Sequence, residues 1–165
     1  MSTPSSGSGL KTFTAVIAVI FGLVLLIGGI YLAVLGGSWY YIIAGLLFIA
    51  TAVLLQKLKS TALIVYALLV LGTVVWGLWE VGSDFFALAP RLDILGLFGL
   101  WLLIPAVTRG FDNVKSAKLV LTGSLAVTIA VMIFAVFNDP QEIRGELSSK
   151  QPATAQSIPG VADGD

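Results

Sequence analysis

The chain has 165 residues, of which 58% are hydrophobic and 11% charged, and its mean hydropathy is +1.01. Soluble domains carry about 25% charged residues, so this composition predicts a surface that faces mostly lipid, and the net charge of zero gives no sign of a nucleic-acid partner. The absence of Cys and His excludes disulfides, zinc–thiolate and iron–sulfur sites and catalysis by a Ser-His or Cys-His pair, and it argues against a haem subunit.

The first two spans lie in one uncharged stretch, residues 12–56. These 45 residues would form a helix of roughly 68 Å, more than twice the thickness of a bilayer core of about 30 Å. The segment Gly36-Gly37-Ser38 favours a tight turn inside this stretch. We therefore predict transmembrane spans at 12–35 and 39–55.

Small residues recur at every fourth position near the end of the first span: Gly29, Ala33 and Gly37. Such a stripe lets another helix approach closely. The neighbour could be the second span or a helix of another subunit.

Three further spans follow. Uncharged runs at 60–79 and 119–138 predict two of them, the second taken as 118–138 with Lys118 at its edge. Between them, residues 94–108 are short for a crossing, so the predicted fourth span, 92–108, takes in Asp93. That carboxylate could lie within the apolar zone, pair with Arg91, or N-cap the fourth helix. The sequence thus predicts an all-α integral membrane protein, a bundle of about five transmembrane helices.

Basic residues set the orientation of this bundle. When loops are assigned alternately to the two sides, six basic residues fall on one side and three on the other. Short basic loops stay in the cytoplasm. We therefore predict a multi-pass protein of the bacterial inner membrane, with residues 1–11 cytoplasmic, a transmembrane domain at 12–138, and a periplasmic linker at 139–165 that leads to a catalytic domain outside this sequence. The six basic residues predicted to be cytoplasmic are Lys11, Lys57, Lys59, Arg109, Lys115 and Lys118.

Aromatic and charged residues cluster where the third span ends and the fourth begins. One interpretation is a slot for a flat, lipid-soluble ring, with aromatic walls and charged groups that bond its carbonyl oxygens. The other is an ordinary belt of aromatic residues at the membrane surface, beside solvated loop charges. The candidate contacts to such a quinone-like ring are Trp76, Trp79, Glu80, Asp84, Arg91 and Asp93.

Three strings in the sequence resemble the membrane domain of the membrane-bound quinoprotein glucose dehydrogenases and of related quinate and shikimate dehydrogenases. They are GGSWYYIIAGL at 36–46, WGLWEVGSDFFALAPRLDILGLFGLWLLIPAV at 76–107 and FNDPQEI at 137–143. The resemblance extends from about Leu10 to the end of the chain.

This resemblance implies a five-helix anchor joined to a periplasmic β-propeller. The propeller would hold pyrroloquinoline quinone (PQQ) and a calcium or magnesium ion, would oxidise glucose or a related sugar or polyol, and would pass electrons to ubiquinone. None of the family's catalytic, PQQ-binding or metal-binding positions falls within residues 1–165. The chain is therefore expected to have no catalytic activity alone, and its expected partners are the lipid bilayer, ubiquinone and the propeller, on the same or a separate chain.

Two classes of function follow from these observations. The first is a membrane anchor and ubiquinone-access module of a periplasmic PQQ-dependent dehydrogenase. The alternative is a structural or transport membrane protein that acts alone. A pure anchor, with quinone docking only on the propeller, is a variant of the first.

The predicted orientation can be tested with a single thiol, because the chain has no Cys. In intact cells, a membrane-impermeant thiol reagent should label Asp165→Cys, since the C-terminus is expected in the periplasm, and should label Ser60→Cys only after the cells are lysed. Labelling of Ser60→Cys in intact cells, with Asp165→Cys protected, would reverse the orientation.

Overall fold

The computed structural model describes residues 6–138, and within that range it contains five α-helices and no strand. The all-helical class and the five helices expected from the sequence are therefore confirmed for this part of the chain. The predicted linker, 139–165, and residues 1–5 lie outside the described residues. The helices are α1 (Ser6–Val34), α2 (Tyr40–Gln56), α3 (Thr61–Val81), α4 (Phe85–Leu103) and α5 (Val114–Phe137).

Helix length and composition favour membrane crossing most clearly for three helices. Three described segments are long and apolar enough to cross, Gly9–Val34, Thr61–Val81 and Val114–Phe137. α2 has 17 residues and is about 26 Å long, at the short end of what a bilayer core requires. α4 has 19 residues but includes two charged side chains.

α4 is displaced along the sequence from the predicted fourth span. It begins at Phe85 rather than at residue 92, and Pro90 lies inside it. Proline next to a charged residue is typical of a loop, but this helix continues through both. Turns and bends occupy residues 104–108, because the residue before Pro105 is disfavoured in helical conformation. The helix therefore ends five residues before the predicted span does.

The start of α4 corrects two interpretations of Asp93. Asp93 lies in the helix interior and is not its N-cap. Asp84 immediately precedes α4, and its backbone carbonyl accepts the N–H of Leu88 at 3.1 Å, as the carbonyl of an N-cap residue does. Asp93 does not pair with Arg91 either, because residues two apart point to different sides of a helix, and Arg91 pairs with Glu80 instead.

Successive helices run in opposite directions, so alternate turns meet at the same end of the bundle. At one end the backbone N–H of Ser60 donates to a carboxylate oxygen of Asp112 at 3.2 Å, which joins the α2–α3 turn to the α4–α5 turn. This bond lowers the pKa of the Asp112 carboxyl. At the other end, Oγ of Ser83 donates to the backbone carbonyl of Asn138 at 3.0 Å.

Charged and aromatic residues divide between these two ends. The end that contains Asp112, here called the basic end, carries six basic residues: Lys11, Lys57, Lys59, Arg109, Lys115 and Lys118. The opposite end, here called the aromatic end, carries many large aromatic residues, among them Trp39, Tyr40, Tyr41, Trp76 and Trp79. The charge asymmetry that the sequence shows along the chain thus becomes an asymmetry between the ends of the fold.

Aromatic rings from four helices meet in the middle of the bundle. Phe21, Phe48, Tyr66 and Phe98 come from α1, α2, α3 and α4, with ring centroids 5.4 to 6.3 Å apart. Tyr66 is fully buried, and its hydroxyl donates to the backbone carbonyl of Leu95 at 2.7 Å. This bond satisfies a polar group that would be costly to bury alone. The four rings therefore form the common core of α1 to α4.

Glycines bring the backbones of α1 and α2 close together. A Cβ added to Gly45 would lie 2.7 Å from the carbonyl oxygen of Gly22 and from the backbone nitrogen of Leu26. A Cβ added to Gly29 would lie 2.6 Å from the backbone nitrogen of Ile42. The small-residue stripe of the first span thus faces the second helix at Gly29, and the stripe's neighbour in this chain is α2.

This packing predicts opposite effects for two glycine substitutions. Gly45→Ala should lower the thermal stability of the purified chain in detergent, because the new methyl group meets backbone and the helices must separate, at a cost of about 1–3 kcal/mol. Gly28→Ala, where nothing lies within 4 Å, is the matched control and should be neutral or stabilising. Circular dichroism on heating measures both, and equal melting temperatures would contradict the close approach.

Candidate functional site

A cavity of about 290 Å³ opens among helices α1 to α4, in the half of the bundle nearer the aromatic end. It exists because α1 packs on α2 and not on α4, since the Cα atoms of α1 and α4 stay more than 8 Å apart throughout the described residues. Side chains bridge the two helices: the ring of Phe21 meets Phe98, and the indole N–H of Trp101 donates to Oγ1 of Thr14 at 3.0 Å. Both contacts lie in the middle of the bundle or closer to the basic end, so the gap between α1 and α4 stays open toward the aromatic end.

Apolar side chains form most of the cavity wall, and two of them lead outward. Val24 of α1 and Ile94 of α4 line the cavity, and their exposed fractions are 64% and 52%. They form a rim on the outer surface of the bundle. A ligand in the cavity would therefore have a side exit between α1 and α4.

Tyr40 places a hydroxyl group in the cavity wall. The turn before α2 ends at Ser38, whose Oγ accepts the backbone N–H of Tyr40 at 3.3 Å. Oγ1 of Thr73 on α3 donates to the backbone carbonyl of Leu69 at 2.7 Å, so the Tyr40 hydroxyl donates its one hydrogen to Oγ1 of Thr73. The ring of Tyr40 stacks on Trp76 with centroids 5.7 Å apart. Tyr40 is thus held from two sides.

Arg91 supplies the positive charge at the cavity. Its Nη1 donates to Oε2 of Glu80 at 2.5 Å, and both side chains are about one-third exposed, 32% and 34%. A guanidinium has five N–H donors, so the pair with Glu80 leaves donors for a further acceptor. The α3–α4 ion pair therefore fixes the Arg91 side chain and leaves some of its N–H donors unused.

Two tryptophans extend the aromatic end beyond the cavity. Trp79 is 76% exposed, and its ring lies 4.9 Å from that of Trp76. The indole N–H of Trp76 is buried and has no acceptor among residues 6–138. An exposed tryptophan at this position is typical of the membrane–water interface.

The structure divides the six residues singled out from the sequence. Arg91 lines the cavity, Trp76 stacks on one of its wall residues, and Glu80 holds Arg91. Asp84 lies just before α4, while Asp93 lines a different groove, on the α5 side of α4. Contact between any of the six and a quinone stays a prediction. No group of three or more carboxylates that could hold a metal ion occurs among the described residues.

The sequence analysis missed Tyr40 and Thr73 as a pair. Tyr40 lies in the aromatic run Trp39-Tyr40-Tyr41 before the second helix, which is typical of a belt at the membrane surface, and a threonine inside a long apolar helix gives no signal of its own. One signal was available: Thr73 lies three residues before Trp76, so the two share a helix face. The partner of that face, Tyr40, is 33 residues away in sequence.

This pair predicts a difference between two threonine substitutions. Thr73→Val should destabilise the chain by about 1 kcal/mol more than Thr51→Val, because only the first leaves a tyrosine hydroxyl without its partner. Both threonines are buried and both bond a carbonyl four residues back, so Thr51 is a close control. Unfolding in detergent measures the difference. With Tyr40→Phe already present the extra loss should vanish, and persistence of the full effect would count against the bond.

Comparison with known proteins finds close relatives over the whole chain. The chain is 59% identical over 165 residues to quinoprotein glucose dehydrogenase A of Acinetobacter calcoaceticus, covering all of this chain and 21% of that protein. It is 49% identical over 157 residues to quinoprotein glucose dehydrogenase of Escherichia coli, covering 94% of this chain and 20% of that protein. Both matches fall in the N-terminal region of the longer protein, so the chain spans about a fifth of their length.

A shorter relative matches over most of its own length. The glycerol dehydrogenase small subunit of Gluconobacter thailandicus is 37% identical over 103 residues, which cover 61% of this chain and 81% of that subunit. No family model matches the chain. No solved structure matches it significantly.

Proposed function

The chain belongs to the family that comprises the glycerol dehydrogenase small subunits and the N-terminal regions of quinoprotein glucose dehydrogenases, and on that premise we propose that it anchors a periplasmic PQQ-dependent dehydrogenase in the bacterial inner membrane and gives ubiquinone access to it. The substrate would be glucose or a related sugar or polyol. PQQ and its divalent cation would belong to the catalytic domain, and this chain would supply ligands to neither.

The outer surface of the helices supports the anchor role. Large apolar side chains are exposed along the outer faces of α1, α3 and α5, which water would not tolerate in so large an area. Lipid requires such a surface, and it also requires that backbone groups bond within helices. Examples that are about half exposed or more are Ile20, Ile27, Leu68, Val75, Ile129 and Phe134.

Charge supports an orientation for this anchor. The basic end carries Lys and Arg in short turns and would face the cytoplasm. The aromatic end, and with it the C-terminal side of α5, would face the periplasm, where the dehydrogenase domain works. All five helices would then cross the membrane, α2 and α4 as short spans.

The cavity among α1 to α4 is the observation that carries the quinone part of the proposal. Both carbonyl oxygens of ubiquinone are hydrogen-bond acceptors, so a binding site needs donors. Arg91 supplies such donors at the wall of an otherwise apolar cavity, because its pair with Glu80 leaves N–H groups unused. The one hydrogen of the Tyr40 hydroxyl is already donated to Thr73. Its volume of about 290 Å³ is at the low end for ligand sites, which favours binding of the ring alone. The isoprenoid tail would leave past Val24 and Ile94 into the lipid.

Two features place this cavity well for electron transfer. It lies toward the aromatic end, which is the end where the catalytic domain would dock. Its entrance faces the bilayer, so ubiquinone would reach it without crossing water. A quinone in this cavity would thus lie between its lipid reservoir and the source of electrons.

Narrowing the entrance should impair quinone use while leaving sugar oxidation intact. In proteoliposomes of the PQQ-loaded enzyme that contains this chain, Val24→Trp should raise the KM for ubiquinone about tenfold, equivalent to about 1.4 kcal/mol of lost binding. The rate with a water-soluble dye as acceptor should not change, because the dye bypasses the cavity.

Ile27→Trp is the matched control for this substitution. Ile27 lies on the same helix, is 66% exposed, and does not line the cavity, so its substitution should leave both rates unchanged. Photolabelling with an azidoquinone should mark α2 near Tyr40 and α4 near Arg91. If Val24→Trp matches the wild type and the label falls only on the catalytic domain, the chain is an anchor without a quinone site.

A further inference from the structure

A second groove lies between α4 and α5, on a different face of α4 from the cavity. Its volume is about 320 Å³. It is open beside Gly96, where an added Cβ would meet nothing within 4 Å. Its apolar walls include Leu97, Leu100, Leu125, Ile129, Met132 and Ile133.

Asp93 is the one charged residue that lines this groove. Its side chain is exposed, and it has no hydrogen-bond or ion-pair partner within the described part of the chain. The hydroxyl of Thr128, also in the groove, is already used by the carbonyl of Ser124 at 2.9 Å. Arg91 points elsewhere and is bonded to Glu80. The groove thus offers a carboxylate next to apolar surface, a costly arrangement inside a membrane unless a cation completes it.

The other two carboxylates that the structure describes at the aromatic end are compensated in ways that Asp93 is not. Glu80 is paired with Arg91. Asp84 lies at the N-terminus of α4, where the helix dipole favours a negative charge. Asp93 lies in the helix interior, so it has neither form of compensation. It is therefore the place in this half of the fold where an external cation would bind.

The direction of the groove matches one leaflet of a bilayer. Along α5 it runs from Val136, one residue before the helix ends, to Leu125 in the middle. At 1.5 Å per residue this is about 16 Å, close to half of a bilayer core of about 30 Å. Asp93 lies in the middle of α4, but it and Leu92 are the groove-lining residues of this helix nearest to the aromatic end, where α4 starts. The charge is thus at the outer end of the groove, and the apolar part leads to the bilayer centre.

We propose that this groove binds a phospholipid with a primary ammonium headgroup, of the phosphatidylethanolamine type. The ammonium would pair with Asp93, and one acyl chain would lie along the groove toward Leu125. An ammonium has three N–H donors and no acceptor, which complements a carboxylate that only accepts. A quinone does not fit this groove, because its carbonyl oxygens and the carboxylate are all acceptors. The proposal does not depend on a quinone site or on which leaflet contains the aromatic end.

Native mass spectrometry of the purified chain tests this proposal. The chain is incorporated in nanodiscs with equal amounts of phosphatidylethanolamine, phosphatidylcholine and phosphatidylglycerol, and then released. Wild type should retain phosphatidylethanolamine about fivefold over the other two, as expected for one partly exposed ion pair. Asp93→Asn should lose this preference, because the amide carries no charge.

Two control comparisons separate the contribution of the lipid headgroup from that of the acyl chain. Asp112→Asn removes an exposed carboxylate at the basic end and should keep the preference. Gly96→Leu should lower retention of all three lipids by filling the groove, whereas Gly72→Leu, also in open space but outside the groove, should not. Equal retention of the ethanolamine and choline lipids by wild type, an unchanged preference in Asp93→Asn, or a second copy of the chain in place of lipid would overturn the proposal.

Discussion

The close approach of α1 and α2 is the contact on which the candidate site depends. Gly22, Gly29 and Gly45 let two backbones touch, and in lipid such van der Waals packing replaces the hydrophobic effect as the force between helices. Because α1 packs against α2, its contacts with α4 are made by large side chains, Phe21 of α1 and Trp101 of α4. Small residues on one side of α1 and large ones on the other thus leave a gap, and the cavity is that gap.

The lipid environment also explains why polar groups in the bundle are few and why almost all of them form hydrogen bonds. Hydroxyls inside the helices bond carbonyls three or four residues back, as Thr14, Thr51 and Thr128 do, so they cost little to bury. The two tyrosines in the interior bond across helices instead, Tyr40 to Thr73 and Tyr66 to Leu95. Those two bonds fix the position of α3 relative to its neighbours on either side, and they border the cavity and the aromatic core respectively.

Much of the fold could be predicted because hydrophobicity and turn chemistry act locally. The apolar runs predicted the five helices, and Gly36-Gly37 predicted the first turn. In that turn Gly36 has a positive φ of 81°, which glycine adopts readily. The start of α4 was missed because Pro90 and Arg91 have the composition of a loop, although proline removes only one hydrogen bond near a helix start. The pairing of Tyr40 with Thr73 was missed because it depends on the register between two helices, and no pattern within one segment encodes that register.

Arg91 and Asp93 show how a helix separates two chemistries within two residues. Their spacing sends them to different faces, so one lines a cavity among α1 to α4 and the other a groove against α5. A cation with spare donors suits a ligand that only accepts, and a carboxylate suits a ligand that only donates. Exchanging the two charges would therefore keep the composition of α4 and its net charge while giving each site the wrong complement. Sequence composition left open whether this segment is a ligand slot or an ordinary aromatic belt, and only the helical phase shows which face of α4 each charge occupies.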